Sequence, residues 1–87
     1  MNDVDTREKI MELLYTRRKE AQDDVGALEV AHLAKSLGAS ARRVAVICSD
    51  MAIHGHVDGD GNLMGLVRLS DRGVAYYESV TELIGRG

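Results

Sequence analysis

Phenylalanine and tryptophan are absent, and three tyrosines supply every aromatic side chain. That excludes an aromatic core and leaves Leu, Val, Ile, Ala and Met to fill the interior. Cysteine is as scarce. Cys48 stands alone, so no internal disulfide can brace the fold, and a reducing cytoplasm is the expected compartment. No run approaches the roughly 18 apolar residues of a membrane span, and Met1–Lys9 is too charged for a secretory signal. Positive charge is also in deficit, because 11 Lys and Arg face 14 Asp and Glu for a net charge of −3. A chain that binds nucleic acid by charge alone would carry the opposite sign. Only the middle is faintly basic: residues 26–55 hold 2 acids and 3 bases, against 7 and 5 before them and 5 and 3 after.

What is present is ordinary for a globular domain, with 45% hydrophobic and 29% charged residues. The 87 residues predict a single domain, 1–87, near the lower limit of what one core stabilises without metal or disulfide. A first helix is expected over 6–22, opened by a capping box of Asp5 and Glu8. Its apolar face would carry Ile10, Leu13, Leu14 and Ala21, and Gly26 would lie beyond its end. The second, 29–37, places Val30, Leu33, Ala34 and Leu37 at helical spacing. Gly38 suits the left-handed stop position and Ser40 the N-cap of the next helix. That third helix, 41–54, puts Val44, Ile47, Cys48 and Met51 on one stripe and leaves Arg42, Arg43, Val46, Ser49 and Asp50 on the others.

The segment VAHLAKSLGAS, followed by a helix, a glycine and a strand, resembles the helix-turn-helix of bacterial and archaeal winged-helix transcriptional regulators. GLVRLSDRGVAYYESV is similar to the second wing strand and last-helix start of MarR-like and PadR-like members, so the resemblance runs from residue 28 to 80. It implies an α+β, mostly α fold: a three-helix core, a two-stranded β-hairpin wing over 56–69 and a C-terminal helix over 71–84.

HGHVDGDGNL, residues 54–63, contains two histidines, two aspartates and an asparagine, a set that suits either a metal loop or a hairpin tip. A calcium loop beginning at Asp58 would need glycine where Leu63 stands and a bidentate acid where Leu69 stands. Glycine- and Asx-rich turns between apolar runs mark hairpins, so a plain wing tip is expected. His54 and His56 with Cys48 could supply zinc ligands, but Gly55 breaks the strand alternation that would align them, and Cys48 suits a core position. His32 has no partner in sequence and reads as a surface residue. Neither metal nor cofactor is expected.

In the frame the resemblance supplies, the third helix enters the major groove of duplex DNA. Ser40, Arg42, Arg43, Val46 and Ser49 would face it, with Arg68 and Arg72 at the base of the hairpin reaching the backbone. Val46 and Ala45 would make an apolar reader. The acidic tip, Asp58 and Asp60, departs from the basic wing usual in such regulators, while Arg17, Arg18 and Lys19 form a separate basic cluster. On the last helix Val74, Tyr77, Val80 and Ile84 line one side with Tyr76 and Leu83 beside it. So wide an apolar surface predicts a homodimer through Tyr76, Tyr77, Val80, Leu83 and Ile84.

No phosphate-binding glycine loop and no nucleophile motif occurs, so no enzyme is expected. Two classes remain. One is a transcriptional regulator, dimeric on a two-fold operator; the other is a winged-helix protein–protein interaction module, an adaptor or inhibitor, without DNA binding.

Overall fold

The computed structural model describes residues 2–20, 26–59 and 65–86, with side chains as far as Glu82. The described residues form four helices and a three-stranded antiparallel sheet in the order α1 (Asp3–Glu20), β1 (Leu28–Glu29), α2 (Val30–Leu37), α3 (Ala41–Ile53), β2 (Val57–Gly59), β3 (Leu66–Leu69) and α4 (Asp71–Arg86). The coarse class is therefore α+β, mostly helical, as the sequence predicts.

α1 begins earlier than the expected capping box. Asn2 is the cap, its Oδ1 accepting from the Asp5 amide at 2.8 Å and its carbonyl from the Thr6 amide and hydroxyl at 2.9 Å. Asp5 thus lies inside the first turn, where its charge complements the helix dipole. The buried face is Thr6, Ile10, Met11 and Leu14; the expected Ala21 lies outside the described residues. Gly26 has φ +76°, and a Cβ there would sit 2.5 Å from the Arg18 backbone, so the chain can pass back across α1 only on a glycine.

The third strand is the main departure from the expected two-stranded hairpin. Leu28 and Glu29 pair with Val67 and Leu66 rather than opening α2, giving the strand order β1-β3-β2. Glu29 supplies no side-chain cap for α2. Instead the Val30 amide donates to the Gly65 carbonyl at 3.0 Å, which ties the helix start to the sheet. The turn between α2 and α3 follows the sequence reading. Gly38 is left-handed at φ 66°, the amides of Gly38 and Ala39 return to the Lys35 and Ala34 carbonyls, and Ser40 Oγ accepts from the Arg43 amide at 3.1 Å.

β3 is the central strand, with Val57 opposite Leu69, Asp58 opposite Arg68 and Gly59 opposite Val67. Val57, Val67 and Leu69 turn inward onto an aliphatic core that also holds Ile10, Leu14, Val30, Leu33, Val44, Ile47, Cys48 and Met51. α4 starts on Ser70, whose Oγ accepts from the Gly73 amide at 2.9 Å while donating to the Gly55 carbonyl at 2.6 Å. One hydroxyl therefore caps the helix and fastens it to the end of α3. No described helix is long and apolar enough to cross a membrane.

Candidate nucleic-acid interface

α3 is locked on one side and open on the other. Val44, Ala45, Ile47, Cys48 and Met51 are buried, whereas Arg42, Arg43, Val46 and Ser49 are exposed, Val46 by 65%. Ala45 is in the core, which corrects its expected place beside Val46 on the outer face: it lies one residue from the Val44 stripe, and the helix turns it inward. Ile53 extends the outer stripe seven residues beyond Val46 and is 82% exposed. The sequence reading missed it, although helical spacing from Val46 and Ser49 was the available signal.

The cations of this face differ in availability. The Arg42 side chain makes no hydrogen bond or ion pair among the described residues. Arg43 is held by Asp3 at 2.6 Å, a contact 40 residues away in sequence. Ser40 uses a lone pair to cap α3. On the hairpin, Arg68 Nε lies 3.4 Å from the Asp58 carboxylate on the neighbouring strand, so that acid occupies Arg68 as well as opposing phosphate. Arg72 forms no ion pair among the described residues and lies over Gly55 at the end of α3. The expected basic cluster on α1 is not free. Arg18 donates to the Leu69 carbonyl at 2.7 Å and to Asp71 at 2.5 Å, tying α1 to β3 and α4, and Lys19 lies 3.7 Å from Glu78 of α4.

The two histidine rings at the end of α3 take part in a stack. His54 and His56 stack with centroids 6.2 Å apart, and His56 stacks on Tyr76 at 4.4 Å. His54 Nδ1 lies 2.9 Å from the Asp50 carbonyl. Cys48 is fully buried, and burial pushes its thiol up to about 11. No cluster of three or more His, Cys, Asp or Glu that could hold a metal occurs among the described residues. Asp60 and Asn62 of the turn lie outside them.

A groove of about 280 Å³ runs between α1 and α4, lined by Val4, Arg7, Glu8, Met11, Glu12, Tyr76, Tyr77, Val80 and Thr81. Tyr76 is 48% exposed. Tyr77 leans inward on Tyr15, with centroids 4.7 Å apart, and contributes to the protein's own core more than to an outer face. The Tyr15 hydroxyl donates to Glu78 at 2.6 Å, which raises the tyrosine above its ordinary value. Val80 is half-buried. The side chains of Leu83 and Ile84, expected in the same interface, lie outside the described residues. No family model, curated protein or solved structure matches this chain.

Proposed function

We propose that the chain is a winged-helix DNA-binding regulator that lays α3 in the major groove. The helix order, the antiparallel strand order β1-β3-β2 and the short α2–α3 turn support this reading. One observation carries it: an outward stripe of Arg42, Val46 and Ser49 on a helix whose other side is fixed in the core. A free guanidinium suits the paired acceptors of guanine, and an exposed branched aliphatic suits a thymine methyl. Arg72 would reach the backbone, while Arg43 and Arg68 would exchange Asp3 and Asp58 for phosphate. Exposed ion pairs of that kind contribute about 0–1 kcal/mol and exchange readily. α4 and α1 would join two copies across the groove on a two-fold operator.

The test compares single variants in a gel-shift titration. Arg42→Ala should weaken binding by about 1–3 kcal/mol. Arg43→Ala should cost less, because Arg43 must first leave Asp3. Wild-type affinity in the Arg42 variant would refute the placement of α3.

A second reading, an interaction module that docks a protein, is favoured by Ile53. A large aliphatic side chain 82% exposed on the same face as Val46, in a chain of net charge −3, suits an apolar partner. Retention of a protein partner by the wild type, lost on Ile53→Asp, together with no DNA binding, would select it.

A further inference from the structure

Three segments meet at His56, through its backbone and its ring. The His56 amide donates to the Met51 carbonyl of α3, and its carbonyl accepts from the Ser70 amide before α4, both at 3.0 Å. Gly73 of α4 is pressed so closely on that carbonyl that a Cβ would stand 2.0 Å from the oxygen. The His56 ring lies on Tyr76 of α4 with an interplanar angle of 17°, and the His54 ring lies 6.2 Å away. His56 is therefore a fastening point among the end of α3, the start of β2 and the first turns of α4.

The charges near this ring are mostly of one sign. Arg7 of α1, Arg72 of α4 and His54 of α3 act on it electrostatically, Arg72 lying over the neighbouring Gly55; Tyr76 stacks on it, and Asp50 lies beside His54. Asp50 is the only acid among them, and it is engaged: it pairs with Arg7 and lies 3.8 Å from His54. A proton on His56 would thus add to the charges of Arg7 and Arg72, and Asp50 is already paired with Arg7. Tyr76 offers the face of its ring, a partial offset through cation–π attraction.

We propose that the His54–His56–Tyr76 stack, with Arg72 over the neighbouring Gly55 and Arg7 on the Asp50 carboxylate, is an acid-sensitive joint. When neutral it fastens the end of α3 and the β2–β3 hairpin to α4, and protonation of His56 releases that fastening. Burial first, and then the charges of His54, Arg72 and Arg7, hold His56 below the ordinary histidine value in the folded protein. In the opened state the ring regains a value of about 6.5. The open state therefore binds more protons than the closed one below that pH. Closure should weaken as pH falls through about 6.5 and level off below the folded value.

The test follows histidine ring resonances and the hydrogen exchange of the Ser70 amide in the full chain, from about pH 7.5 to about pH 5. His56, identified by its loss in His56→Phe, should titrate below about 6.5. Arg72→Gln should move its midpoint upward. The protection factor of Ser70, corrected for intrinsic exchange, should fall by about tenfold per unit of displacement. His56→Phe keeps an aromatic stack but accepts no proton, so its Ser70 protection should be flat across the range. Should that variant fail to fold, Arg72→Gln retains the histidine and reports the same coupling through a smaller fall in protection. A His56 midpoint at or above about 6.5, or Ser70 protection in the wild type that does not change with pH, would overturn the proposal.

Discussion

Gly73 illustrates how much one residue can decide. It sits in the first turn of α4, where alanine would ordinarily improve a helix by about 1 kcal/mol. Here the added Cβ would stand 2.0 Å from the His56 oxygen and 3.0 Å from a Leu69 methyl. The helix would have to move away, breaking the Ser70–His56 bond and uncovering Leu69. Gly73→Ala should therefore lose about 1–3 kcal/mol in denaturant unfolding, the range of an overpacked core. Stability equal to the wild type would show that α4 is not seated there. At this scale the sequence shows which side chains turn out, because period and residue type suffice for Arg42, Val46 and Ser49. It does not show which are engaged. Arg43 meets Asp3, Arg18 meets Leu69 and Asp71, and Arg7 meets Asp50 across 40 or more residues, pairings that only the folded chain creates.

Among the elements, the α2–α3 turn was legible because Gly38 and Ser40 act locally: one admits a left-handed backbone and the other offers an oxygen to the next helix. β1 was not. Two residues carry no period, and Leu28 and Glu29 become a strand through partners nearly 40 positions away. The start of α1 was misplaced for a related reason: Asp5 and Glu8 fit a capping pattern, but Asn2 lies three residues earlier and binds the amides directly. The pairing of α1 with α4 leaves a groove, and the proposed dimer would seat a second copy there. The groove's α1 wall carries Glu8, Glu12 and an Arg7 already paired with Asp50, so in the proposed dimer two copies would bring mostly like charges near one another. Self-association should consequently tighten as salt rises. Tyr76→Glu should abolish it, giving monomer in sedimentation where the parent shows dimer. A parent that remains monomeric at micromolar concentration and high salt removes the dimer and, with it, the two-fold operator.

For the whole molecule, charge opposes the proposed function. A net charge of −3 repels DNA at long range, so affinity has to come from a few cations close to the groove and from base contacts. Arg42 and Arg72 are ready for that role, and Arg43 and Arg68 become ready on leaving Asp3 and Asp58. Two to four neutralised phosphates imply a slope of about −2 to −4 in the logarithm of affinity against the logarithm of salt concentration. The measurement that bears most directly on this account is an equilibrium titration of labelled random-sequence duplex DNA with the full chain, repeated between about 50 mM and about 200 mM salt. Saturable binding at low salt with that shallow slope, reduced in Arg42→Ala, is the predicted result. No binding at low salt, or binding that Arg42→Ala leaves unchanged, would contradict it.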